Sequence, residues 1–214
     1  MSAGARDRDR LSGHAYWQAR AQLMGARAVV NVDHDAGATL DAVTDGHRAV
    51  LLPAIAALLD GSERAVLDLG CGTGRFTADL AALIGGRGIG VDPVAELLAL
   101  APASPDVDFR LSVEGEALPL ADDEVDVVMT LTVLGGLLQP GELETMAAEV
   151  RRVLRPGGLL VLAESVSEQA EVEHWTPRTA AEYAEVFAFA PLREVARFDD
   201  AGDPISVLAG RSAG

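Results

Sequence analysis

The stretch Ala65-Val-Leu-Asp-Leu-Gly-Cys-Gly-Thr-Gly-Arg-Phe-Thr77 leaves this chain few folds to choose from. It opens as a short apolar run containing the β-branched Val66, the pattern of a buried strand. Gly70, Gly72 and Gly74 alternate behind it, and Phe76, Leu80 and Leu83 then recur at helical spacing. A strand, a glycine turn and a helix start in that order make a cradle for a ligand. Glycines let the backbone pass close to a bound molecule, and the free N–H groups of a helix terminus point into the same space. A tight strand-to-helix turn with no ligand would use the same glycines. Dinucleotide enzymes use a related device spaced G-x-G-x-x-G. Here the glycines alternate instead, and an acid, Asp68, stands two residues before the first of them.

Composition narrows the partners. With 214 residues, 49% of them hydrophobic, the chain is long enough for one well-filled α/β domain. It has no apolar run that would span a bilayer, and its first ten residues lack an apolar signal core, so a soluble, cytoplasmic protein is expected. Cys71 has no second cysteine to pair with, and its place in the glycine turn favours small size over thiol chemistry. A net charge of −16 repels a phosphate backbone and disfavours nucleic acid as a partner. A positively charged or neutral small molecule fits that charge, although acidity also serves solubility alone. All 17 basic residues are arginine, which excludes a lysine Schiff base and pyridoxal phosphate chemistry. The excess of Ala, Gly, Arg and Asp is that of a GC-rich bacterium.

Helical and strand patterns alternate along the rest of the chain. Residues 1–10 are charged and expected to fray. A helical pattern runs from 11 to about 30, with Trp17 and Arg20 on one face. Residues 31–37 form a polar linker to a second helix over about 40–59, which Pro53 either kinks or divides. After the strand at 65–69 the pattern predicts a helix over about 73–84, a strand at 87–92, a helix over 93–100 and a strand at 109–113. A fourth strand with an acidic entry covers 122–130, and an amphipathic helix covers 140–154. The turn Pro156-Gly157-Gly158 leads to a fifth strand at 159–164. A polar insertion at 165–177, a short helix over 178–189 and two alternating antiparallel strands, 192–198 and 204–209, complete the chain.

Asp68-Leu-Gly-Cys-Gly-Thr-Gly74 resembles the first motif of the class I S-adenosylmethionine-dependent methyltransferases. Asp92, the acid ahead of Leu118-Pro119, Asp126 in the fourth strand and the Pro156-Gly157 turn agree with that family in order. The resemblance implies a Rossmann-like, doubly wound α/β fold. Its seven-stranded, mostly parallel sheet would have the order 3-2-1-4-5-7-6, the last strand antiparallel, with N-terminal lid helices. Residues 1–38 would form the lid or arm and 39–214 the catalytic body. S-adenosylmethionine would be the cofactor and S-adenosylhomocysteine the product.

By that resemblance the cofactor lies against Asp68, Gly70, Cys71, Gly72 and Gly74. Asp92, at a strand's carboxyl end, accepts the ribose hydroxyls beside Pro93, although an Asp-Pro pair is also a good helix start. Glu114 and Gly115 read the edge of adenine, with Glu116 as the substitute, and Thr130 and Leu131 line the methionine end. Tyr16 or Arg20 meets the cofactor's carboxylate from the lid helix, for which a planar guanidinium is suited. Trp17 equally fits simple packing on the core.

An oxygen nucleophile also needs a base. Many relatives carry a His near position 136, where this chain has Gly135-Gly136. His174 is the first candidate, in a loop expected to overhang the pocket, with a solvated surface His as the other reading. His14 is second, and His34 and His47 are weaker. Glu164 faces the substrate or caps the following turn, and no metal site is expected. The function implied is methyl transfer to an O or N nucleophile of a small molecule, in bacterial specialised metabolism, by a monomer or homodimer. The alternative keeps the cofactor and catalyses a cyclisation or rearrangement without methylation.

Overall fold

The computed structural model describes residues 13–34, 37–166 and 174–213. The charged N-terminal segment and the middle of the polar insertion lie outside the described residues. Seven strands form one sheet: β1 (Ala65–Leu69), β2 (Arg87–Asp92), β3 (Val107–Leu111), β4 (Val125–Leu131), β5 (Leu154–Ser165), β6 (Arg193–Asp200) and β7 (Asp203–Arg211). Their spatial order is β3-β2-β1-β4-β5-β7-β6. β1 to β5 pair in parallel, while β7 runs antiparallel to both β5 and β6. This is the order, and the reversed last strand, that the resemblance implied.

The central strands β1 and β4 are buried along almost their whole length because both sheet faces are covered. Side chains alternate across the sheet. Leu67, Leu69, Val128, Leu160 and Leu162 enter one core, beside α5 (Glu142–Val153) and α6 (Ala180–Val186). Val66, Val127, Met129, Leu159 and Val161 enter the other, beside α2 (Leu40–Ala56) and α3 (Thr77–Ile84). The N-terminal helix α1 (Gly13–Met24) continues as a 3-10 turn, Gly25–Val29. Ala21 and Ala28 pack there on Val94 and on Leu97 of the short helix α4 (Ala95–Leu98).

Several boundaries differ from the sequence pattern, each for a local reason. Pro53 sits inside a continuous α2, with Leu51 and Ile55 buried on either side of it. The helix expected from 73 begins only at Thr77, because Gly70, Gly72 and Gly74 all hold positive φ and keep the chain turning. The Pro156-Gly157 segment is an irregularity within β5, not a free turn. Pairing with β4 jumps from Val125↔Leu154 to Val127↔Leu159 across it. Asp126, beside that jump, accepts the backbone N–H groups of Arg64 and Ala65 and pairs with Arg155 at 2.6 Å, so it anchors the entry to β1. The β6–β7 hairpin closes on Ala201 and Gly202 at φ 55° and 97°, as a two-residue loop matched to strand twist requires. Among the described residues no helix is long and apolar enough to cross a membrane.

Candidate functional site

The parallel strands end at a common edge, where a cavity of about 610 Å³ opens. The glycine turn after β1 forms part of its wall, with φ of +71°, +56° and +71° at Gly70, Gly72 and Gly74. An L side chain pays about 1–2 kcal/mol for that conformation. The amides of Gly70 and Cys71 donate to Val91 O at 2.7 and 3.1 Å, which ties the turn to β2. A Cβ at Gly70 would stand 2.4 Å from Val133 Cγ2, and one at Gly72 would stand 2.6 Å from Val29 Cγ1. Both glycines, together with Cys71, line the cavity. Burial raises the Cys71 thiol pKa, so the group stays protonated.

Gly74 does not line the cavity. Its absent Cβ makes room for Phe109 of β3, at 2.5 Å, so it serves sheet packing.

Two buried carboxylates face the cavity. Asp92 receives Gly72 N on Oδ2 and Val94 N on Oδ1, both at 2.8 Å, which leaves lone pairs on each oxygen. The helix-start role and the cavity-lining position therefore coexist in one residue. Burial raises its pKa, and those two bonds act the other way. Asp68 accepts Thr77 Oγ1 at 2.6 Å. Its pKa is pushed up to about 6 by burial, against the bond from Thr77 and the charge of Arg75. Pro93 and Leu131 also line the cavity, as do Glu114, Gly115 and Glu116. His14 reaches over from α1, its Nδ1 3.7 Å from Glu114 Oε2.

Arg75, which the sequence reading passed over, lines the cavity from behind the glycine turn. Its guanidinium donates to Thr44 Oγ1 at 3.2 Å and Val29 O at 3.0 Å. Among the described residues it has no carboxylate within salt-bridge distance, and burial lowers its pKa to about 10. The group is half-buried, and the charges of Asp68 and Asp200 act against the effect of burial. A guanidinium in the wall is a donor that an anionic group in the cavity can meet. The signal was legible: Arg75 is the cation immediately after the last glycine of the motif.

Arg20 and Tyr16 lie elsewhere. Arg20 donates to Ala28 O at 2.9 Å, Val30 O at 2.6 Å and Tyr16 Oη at 3.1 Å. It fastens the 3-10 turn to α1 and is absent from the wall of the large cavity, as is Tyr16. The carboxylate role expected of them does not suit these positions. Thr130 is fully buried and gives its hydroxyl to Glu164 Oε1 at 2.7 Å, so only its neighbour Leu131 reaches the cavity.

Glu164 caps the turn behind β4. It accepts Val133 N at 3.1 Å and Leu134 N at 3.2 Å, which secures Thr132 at the unusual φ of +52°.

A smaller cavity of about 180 Å³ adjoins the first and shares Trp17, Val29, Arg75 and Thr132 with it. His174 lines this second space, its ring stacked on Tyr16 at 4.0 Å between centroids. Gly135 and Gly136 have a steric explanation. A Cβ at Gly135 would stand 2.1 Å from the Trp175 indole, and one at Gly136 would stand 3.3 Å from Trp17 Nε1. Two indoles occupy the space that a side chain at those positions would need.

Residues 66–158 match the family model described as a methyltransferase domain. An uncharacterized methyltransferase of Mycobacterium leprae is 40% identical over 105 residues, 48% of this chain and 38% of that protein. The chain thus spans less than half the length of the curated relatives it matches. A chain in the complex of the Haloferax volcanii Trm112 methyltransferase activator with a putative methyltransferase superposes with a TM-score of 0.59 at 25% identity. That alignment covers 81% of this chain and 93% of the other. Human N-acetylserotonin methyltransferase, in complex with S-adenosylmethionine, has a TM-score of 0.59 at 17% identity, covering 81% of this chain and 55% of its own; at that identity the likeness is one of fold. The sheet order, the glycine turn and these matches together show a methyltransferase domain over residues 66–158, carried on the Rossmann-like fold of the class I S-adenosylmethionine-dependent methyltransferases.

Proposed function

We propose that the chain binds S-adenosylmethionine in the larger cavity and transfers its methyl group to an oxygen or nitrogen nucleophile of a small molecule held in the smaller one. The observation that carries this reading is the wall the two cavities share, formed by Trp17, Val29, Arg75 and Thr132. Residues that line both spaces mark where the two adjoin, and bringing two reactants side by side in alignment is the main contribution a protein makes to an in-line displacement.

The bound cofactor supplies a methyl group already activated by its sulfonium. The residues do the rest. Arg75 takes the amino-acid carboxylate, and Asp68 takes charge of opposite sign at the same end. Asp92 offers its remaining lone pairs to the ribose hydroxyls, and Glu114 with the Gly115 amide meets the adenine edge. Trp17 and Val29 exclude water from the junction. His174 borders the smaller cavity, whereas His14 borders the larger one beside Glu114. The base for an acid nucleophile is therefore assigned to His174 in this reading. A small acceptor, in the specialised metabolism of a bacterium, agrees with the size of the second space.

The test incubates the full chain with methyl-labelled S-adenosylmethionine and a bacterial metabolite extract, with calorimetry on S-adenosylhomocysteine alongside. Label should appear in a small molecule. Asp92→Ala should weaken cofactor binding about 10- to 100-fold, as loss of charge-assisted bonds worth about 1.5–3 kcal/mol implies. Absence of binding heat would overturn the cofactor site, and binding without transfer would overturn the methylation.

A further inference from the structure

Three residues from distant parts of the chain converge beside the smaller cavity. His34 follows the 3-10 turn, His47 lies within α2, and Asp200 ends β6. Both imidazoles direct Nε2 at one carboxylate oxygen, Asp200 Oδ1, at 2.6 Å from His34 and 2.9 Å from His47. The three donor atoms lie within 4.8 Å of one another. His47 and Asp200 are buried and His34 is half-buried. Asn31 draws Asp203 into the same corner, donating to Asp200 O at 2.9 Å and to Asp203 Oδ2 at 3.1 Å.

We propose that His34, His47 and Asp200 bind a divalent first-row transition-metal ion of the Zn²⁺ type, with its open position toward the smaller cavity. Two imidazoles with one carboxylate are a donor set for such ions, whereas Mg²⁺ and Ca²⁺ require oxygen ligands. Bonds of about 2.0–2.2 Å around a tetrahedral ion put neighbouring donors about 3.3 Å apart. The 2.6 and 2.9 Å separations of Asp200 Oδ1 from the two imidazole nitrogens are each within an ångström of that spacing. Three protein ligands leave a fourth position, and His47 and Asp200 both line the smaller cavity. A hydroxyl or carboxylate oxygen of the molecule held there would complete the coordination, which selects oxygen-bearing acceptors. That last step rests on the proposed methyl transfer, and the metal site itself does not.

Chelator-treated full chain titrated with Co²⁺, read by visible absorption, tests the site apart from any methylation. The expected result is one equivalent bound with the ligand-field bands of a four-coordinate ion, displaced by Zn²⁺ and indifferent to Mg²⁺. His34→Ala and Asp200→Asn should each weaken binding about 100-fold or more, beyond the loss of a second-shell partner. His34 lines neither cavity, so His34→Ala should leave the S-adenosylhomocysteine heat unchanged. No bands in the wild-type chain, or undiminished bands in both variants, would overturn the proposal and leave a hydrogen-bonded clamp. Loss of S-adenosylhomocysteine heat with intact Co²⁺ bands would instead overturn the cofactor reading alone.

Discussion

Glu164 offers a sharp test of how the cavity wall is held. The side chain is fully buried, and burial pushes its pKa up from 4.5 to about 7, against the pull of Thr130, Val133 and Leu134. A carboxyl with a higher pKa in the folded state binds its proton more tightly there. The contribution of Glu164 to stability is therefore greatest below about pH 4.5, falls as pH rises to about 7, and is flat above that. At about 1.4 kcal/mol per pH unit, the whole window is worth about 3 kcal/mol, and the part between pH 5 and pH 8 about 2.5. Glu164→Gln preserves the shape and cannot ionise. Urea unfolding of both proteins at pH 5 and pH 8 isolates this group, because other acids such as Asp68 cancel in the difference. The wild type should lose about 2.5 kcal/mol relative to the variant over that interval. A difference that stays constant with pH would refute the claim that Glu164 is held as a buried, reluctant carboxylate.

Two further outcomes follow from the turn. Asp68, with a pKa near 6, must be ionised to favour a cationic group of the cofactor. Calorimetric affinity for S-adenosylhomocysteine should fall as pH drops below about 6, and Asp68→Asn should remove that dependence. Gly72→Ala forces a side chain to φ +56° and sets its Cβ 2.6 Å from Val29 Cγ1. Thermal and urea unfolding should show at least about 1–2 kcal/mol of lost stability, with weaker cofactor binding as Val29 is displaced.

The turn that walls the larger cavity was readable from residues 65–77 because its parts are local. β1 is a short buried run, apolar but for Asp68, and the turn is a set of alternating glycines whose positive φ no other residue adopts cheaply. Asp92 was readable too, since a carboxylate ending the neighbouring parallel strand must sit at the same sheet edge. The N-terminal region was not. Arg20 suited an anion by its type and its helical face, yet it is used up on the carbonyls of Ala28 and Val30 a few residues on. Gly135-Gly136 read as a missing His, and only the positions of Trp17 and Trp175 give the steric reason for it.

By itself the sequence determined the strands, the glycine turn, the order of motifs and hence the resemblance to a methyltransferase domain. These depend on backbone preferences and on periods of 2 and 3.6 residues, which act between near neighbours. Only the tertiary structure brought His34, His47 and Asp200 to one point, put Arg75 in the wall between two cavities, and aimed Glu164 at the back of the strained Thr132 turn. His34 and Asp200 are separated by 166 positions, and no propensity or spacing acts over that distance. Contacts of that range exist only once the sheet has assembled and its last hairpin has folded against α2.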